Sequence, residues 1–299
     1  MSKKDSLSRK AFYIFDIVIM LLMCVIVLFP YLNVLAKAFN EGQDTMRGGI
    51  TIFPRVFTLE NFGAVLRDEN FWRSAFVTVT VVIVGTLLGL LTQFLSAYVL
   101  LNEKLYGHKF WLILIMVPRY ISGGLIANYI FYANIGMLNN YWVYILPGCF
   151  GVYNMIIIRS YLSSIPSSLA ESARIDGAND ITIAFRIIMP LAKPVLATVT
   201  LWIAVAHWND WTTTLYYVTD RRLFKLQYVL MQVMKETEKI QAIIKEAEMN
   251  GIILNIVPKV TTESVQSAQL IITTLPIVCI YPFVQKYFIS GITLGAVKS

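Results

Sequence analysis

Six predominantly apolar runs, at about 11–35, 73–101, 109–132, 143–161, 191–211 and 268–289, restrict this 299-residue chain to one kind of solution. About 20 apolar residues is the length a helix needs to cross the hydrocarbon of a bilayer. Lipid offers no hydrogen-bond partner to backbone N–H and C=O groups, so each run must satisfy its own as a helix. The expected fold class is all-α: a polytopic membrane protein with six transmembrane helices. Composition agrees, with 57% hydrophobic and only 14% charged residues, against about 25% charged in an ordinary soluble domain.

Lys3, Lys4, Arg9 and Lys10 precede the first run, and Ala36-Lys37-Ala38 mimics a signal-peptidase site. A run of about 25 residues exceeds a signal core, so it reads as a retained span with its N-terminus in the cytoplasm. The net charge of +7 comes from basic residues scattered around the spans, a pattern that membrane orientation explains better than nucleic-acid binding. Cys24, Cys149 and Cys279 all fall inside apolar runs, which argues against both a disulfide framework and a metal site. Two regions organise the chain: 1–70, a first span and an external loop with a short helix near 59–66, and 71–299, the remaining spans.

Gly85 and Gly89 lie four apart on one face of the second span. Such a pair marks close helix packing, either within the chain or at an oligomer seam. The third run is interrupted by Pro118, Arg119 and Gly123-Gly124. Arg119 then sits about 15 Å deep at helical rise, where a cation is a functional candidate by default. Irregular backbone at that depth lines a cavity more readily than it faces lipid. Asn128 follows in the same run, Tyr153 and Asn154 lie in the fourth, and His207 and Asn209 end the fifth among Trp202, Trp208 and Trp211. These six polar residues, Arg119, Asn128, Tyr153, Asn154, His207 and Asn209, are the candidates for a substrate path. Residues 219–268 form a long external loop, helical over about 226–247; its seven basic and six acidic residues leave it nearly neutral. With six spans, both termini are expected inside.

Between the fourth and fifth runs lies a polar stretch at 163–194, SSIPSSLAESARIDGANDITIAFRIIMPLAKP. Ser167 or Ser168 is expected to cap a helix over 168–176. Gly177 supplies the left-handed conformation that stops it. A second amphipathic helix follows from Asp180, with Ile183, Ile187 and Ile188 on one face and Pro190 at its end. The result is a helix-turn-helix plug on the cytoplasmic side.

The spacing of Glu171, Ala173, Gly177, Ile187 and Pro190, with Asp176 before the glycine, resembles the EAA loop of binding-protein-dependent ABC importer permeases. Residues 118–148, 207–230 and 274–299 are similar to carbohydrate permeases of the MalG-like class, in particular the LplC/YtcP subgroup of polysaccharide and oligosaccharide importers, and the likeness covers most of the chain from about residue 70. The resemblance implies a type I ABC importer permease fold in the bacterial cytoplasmic (inner) membrane. It implies a second, similar permease subunit, two ATPase subunits below and an extracellular solute-binding protein above. Glu171, Ser172, Ala173, Asp176, Gly177 and Pro190 would then form the contact with an ATPase subunit. Ser172 departs from the alanine-alanine form of the motif but is equally small. If Arg119 faces the path, an acidic oligosaccharide is the expected cargo, since guanidinium matches carboxylate bidentately.

The chain has no G-x-x-x-x-G-K-[ST] segment, so phosphate cannot be cradled here and ATP would be bound by partners. No Ser/His/Asp set, carboxylate pair or His/Cys cluster is spaced for catalysis or metal, and no cofactor is expected. Two other readings stand beside this one: an ABC importer permease for another solute, and an ion-gradient secondary transporter. The second predicts no docking loop and often carries internal repeats, which the sequence lacks.

Overall fold

The computed structural model describes residues 7–121, 123–249 and 260–296. The chain begins with α1 (Leu7–Ala38), α2 (Gly42–Met46) and α3 (Glu60–Arg67), followed by the long α4 (Glu69–Val99). Then come α5 (His108–Tyr120), α6 (Gly124–Asn134), two 3-10 turns (Tyr141–Tyr144, Leu146–Gly148) and α7 (Val152–Leu162). The polar stretch forms α8 (Ser167–Ile175), α9 (Asp180–Thr182), a π-helical segment (Ile183–Ile188) and α10 (Met189–Leu191). The rest is α11 (Lys193–Asn209), α12 (Thr212–Tyr217), a 3-10 turn (Arg221–Leu223), α13 (Leu226–Met249) and α14 (Thr262–Ala296).

Among the described residues, α1 from Arg9, α4 and the Thr262–Ile280 part of α14 are each long and apolar enough to span a membrane. Three further candidates come from bent pairs: α5 with α6, the 3-10 turns with α7, and α11 with the α9–α10 segment that leads into it at the polar corner. Taking each bent pair as one span gives up to six among the described residues, near the expected positions. Over most of its length α1 exposes its apolar side chains, which is intelligible only if lipid or another subunit covers them.

One compact unit draws on the chain up to Glu69 and on Leu230–Thr274. In it the expected external loop after α1 is an ordered cap. The buried Asn40 donates to Thr45 and Asp44, while its Oδ1 accepts from the N–H groups of Arg55 and Val56. Asn61 on α3 donates to the carbonyls of Ala38 and Asn40, and Phe39 stacks on Phe57. Lys37 pairs with Glu263 at 2.8 Å. The Asn40 hydrogen bond, reinforced by Arg55, holds the Asp44 carboxyl below its ordinary range against partial burial. The external loop continues as α13; residues 250–259 of it, Ser122 in the break of the third span, and the termini 1–6 and 297–299 lie outside the described residues.

The second unit comprises Asn70–Val229 and the chain from Leu275. One apolar core joins Phe94 and Ala97 of α4, Met155, Ile158 and Leu162 of α7, Ala173 of α8, Ile183 and Ile188 of the π segment, and Val195, Val199 and Ile203 of α11. The polar stretch and the spans therefore share one interior. Gly85 and Gly89 settle as an intramolecular contact. A Cβ on Gly85 would lie 2.5 Å from the His207 ring, and one on Gly89 would lie 3.5 Å from Ile203, so this face of α4 receives α11.

Candidate functional site

The polar stretch is a designed corner. Ser163 and Ser164 turn their hydroxyls back onto the carbonyls of Ser160 and Tyr161, and Pro166 opens α8. The expected serine cap does not form. Pro166 itself takes the N-cap position with no side-chain hydrogen bond, and the two serines fall inside the first turn, past the place from which a hydroxyl reaches the free N–H groups. The far end follows expectation. Gly177 has φ +82°, its N–H donates to Arg174 O, and that of Ala178 donates to Ala173 O, the crossed pair of a Schellman stop. Asn179 then caps the next helix by accepting from Thr182 N at 2.8 Å.

The second helix is not the single amphipathic α-helix expected. After one turn it widens into the π segment, and it runs past Pro190 to Leu191 before the chain bends 85° into α11. Pro190 lies in the first turn of α10, where its missing N–H is harmless, so it does not terminate the helix. The π widening carries Ile183, Ala184 and Ile188 into the core, and Phe185 lies 6.1 Å from Phe94.

Of the loop residues singled out, only Ala173 is buried; Glu171, Ser172, Asp176, Gly177 and Pro190 are exposed. Arg174 spans the corner to Asp180 at 3.1 Å, with both side chains open to solvent. Around these polar groups stand Leu169, Ile175 and Ile181, the last two 87% and 71% exposed. Apolar side chains exposed among charged ones mark a patch suited to protein contact. The motif spacing does not single out these three; their place among charged residues is the signal that could.

The six path candidates separate. Arg119 and Asn128 are exposed on α5 and α6, either side of the break, and Arg119 has no hydrogen-bond or ion-pair partner among the described residues. Tyr153 and Asn154 lie together in the first turn of α7, with Tyr153 stacked on Trp202 at 6.2 Å. Asn209 is exposed at the end of α11. His207 goes elsewhere: it is 8% exposed, wedged against Gly85 and Gly148. Its carbonyl accepts from the Nζ of Lys225, which also reaches Asp210 at 3.1 Å and lies 5.4 Å from the Tyr144 ring. The Lys225 side chain is fully buried. In sequence this lysine is one charge of a near-neutral segment, and nothing in its neighbours announces burial. Desolvation pushes the Lys225 ammonium down from its ordinary range despite Asp210. Burial would raise Asp210, but the Lys225 charge and the Thr213 and Lys225 hydrogen bonds prevail and hold its carboxyl low.

An all-helical, multi-pass chain with an exposed polar corner built into the core of its spans has the architecture of a membrane transport subunit. The family model described as "Binding-protein-dependent transport system inner membrane component" matches residues 85–294. The chain belongs to that family. It is 30% identical to the polygalacturonan/rhamnogalacturonan transport system permease protein YtcP of Bacillus subtilis (strain 168), covering 95% of this chain and 98% of that one. It is 35% identical to protein LplC of the same organism, over 91% and 90% of the two chains. Among solved structures it resembles a chain of a bacterial ABC transporter involved in the import of the acidic polysaccharide alginate, with a TM-score of 0.83, 26% identity, and 96% of this chain and all of that one covered.

Proposed function

We propose that this permease imports oligosaccharides or polysaccharide fragments, acidic ones in particular, with energy from separate ATPase subunits. The carrying observation is the corner formed by α8 to α10. It presents Glu171, Ser172, Asp176 and Gly177 outward while Ala173 locks it to the spans, so a push on α8 is transmitted to α7 and α11. Two ATPase subunits would bind below, one gripping this corner. A second, similar permease would complete the pathway, covering apolar faces such as those of α5 and α6. An extracellular binding protein would deliver the sugar to the α13 side, and both termini would be cytoplasmic. The chain binds no ATP, metal or other cofactor in this reading. The relatives named for polygalacturonan, rhamnogalacturonan and alginate transport support an acidic cargo, as does Arg119, which has no ion-pair partner among the described residues. Arg119, Asn128, Tyr153, Asn154 and Asn209 remain the path residues. His207, buried in the packing of α4 and α11, leaves that set.

The test is ATP hydrolysis by the reconstituted complex with its loaded binding protein, comparing wild type with Glu171→Ala plus Gly177→Pro. The double variant is expected to insert and assemble yet lose sugar-stimulated hydrolysis. Undiminished stimulation would reduce the corner to a connector.

A further inference from the structure

The fourth span does not start as a helix. Two 3-10 turns carry the chain to Gly151, and α7 begins only at Val152, about 15 Å above its inner end at Leu162. The first backbone bond of α7 runs from Met155 N to Gly151 O. The N–H groups of Val152, Tyr153 and Asn154 therefore have no acceptor among the described residues, and Gly151 at the N-cap has no side chain to offer one. Three bare N–H groups at membrane depth are costly unless something polar meets them, and a helix start is electropositive.

A second observation points to the same place. Gln93 of α4 is 1% exposed, and its Oε1 has no partner among the described residues. Its Nε2 lies 3.5 Å from where a Gly151 Cβ would be, beside the Asn154 amide at 3.4 Å. The Thr92 hydroxyl donates to Cys149 O and straps this turn to α4. Tyr153 is 57% exposed and stacks on Trp202.

The geometry points to a uronosyl subsite at the start of α7: the sugar carboxylate meets the uncapped N–H groups, a ring hydroxyl accepts from the Gln93 Nε2 that faces Gly151, and the pyranose lies on the exposed Tyr153 ring. This rests on the oligosaccharide-importer reading and adds to it where in this chain a negative charge is recognised. Half-helix starts that point at anionic substrate groups are a general device of transporters.

Position 151 offers a direct test. Its φ of −108° and ψ of 108° suit any N-cap residue, and a Cβ there makes only ordinary contacts. Gly151→Asp should cap α7 with its own carboxylate, which ordinarily stabilises a helix, and so compete with the sugar. Uptake of tetragalacturonate and of its carboxyl-reduced neutral counterpart is measured in proteoliposomes holding the full complex and its binding protein. Wild type is expected to favour the acid. Gly151→Asp should lower the acid-to-neutral ratio of kcat/KM about fivefold or more, the scale of a charge at a helix start, while Gly151→Ala keeps the ratio. Gln93→Leu should raise KM for both sugars. An unmoved ratio in Gly151→Asp, or an equal loss in Gly151→Ala, overturns the subsite alone. Uptake of neither sugar by wild type overturns the importer reading together with it.

Discussion

The two ends of α11, about 25 Å apart along its 17 residues, are built on opposite plans. At the Asn209 end the chain closes on itself. Lys225 is buried against the His207 carbonyl and Asp210, Tyr144 donates to Leu223 O and bonds Thr214, and the Thr78 hydroxyl accepts from Leu226 N. At the Lys193 end the polar groups face water, the one ion pair of the corner is exposed, and isoleucines stand out from the surface. The first end fixes where the segment leading into α13 leaves the spans. The second is left open, as the proposed docking of another protein there requires. A membrane protein can thus spend its buried polar groups on rigidity at one end and keep its exposed ones for docking at the other.

The contrast is broken most severely at Lys225. Lys225→Met leaves Asp210 without its cation and is expected to destabilise the fold by about 3–5 kcal/mol, read as thermal unfolding in detergent, with Asp210→Asn in the same chain recovering most of the loss. If Lys225→Met alone is silent, that end is not held by the pair. Next is Gly85→Ala, whose methyl meets the His207 ring at 2.5 Å; overpacking of this kind costs about 1–3 kcal/mol, and adding His207→Ala should relieve it.

At the open end the effects on stability are smaller and those on coupling larger. Gly177→Ala forces a side chain into the left-handed region at about 1–2 kcal/mol, with nothing within 4 Å to clash, and should reduce sugar-stimulated ATP hydrolysis more than it lowers the unfolding temperature. Arg174→Ala breaks an exposed pair and should move stability by less than about 1 kcal/mol; a larger shift would mean the corner is held by more than its apolar face.

The pH response sharpens the same comparison. Asp210 is held below its ordinary range, so its contribution to stability is complete above about pH 4 and fades as pH falls through its still lower folded value. Lys225 is also pushed down, so its charged form is the strained one, and that strain is relieved as pH rises through its lowered folded value toward about 10.4. Lys225→Met with Asp210→Asn should remove both dependences, which unfolding scans across pH would show.

The sequence by itself determined the spans, the interruption of the third run, which parts between Tyr120 and Gly124 while Pro118 stays inside α5, the glycine stop at Gly177 and the helix of α13. Each follows from a local rule: apolar length, an absent Cβ, helical periodicity. The family resemblance was legible for the same reason, since the loop's spacing is a local pattern. Only the tertiary structure decided which polar residues are spent inside. His207 and Asn209 are two positions apart and looked alike, yet one wedges between Gly85 and Gly148 and the other faces out. Gln93 was one glutamine in an apolar run until Gly151 was brought beside it. Lys225 looked like a loop lysine until the end of α11 buried it. Burial depends on which distant segment arrives, and neither hydropathy nor spacing encodes that, because a partner many residues away supplies the charge, the carbonyl or the gap that makes a polar side chain affordable.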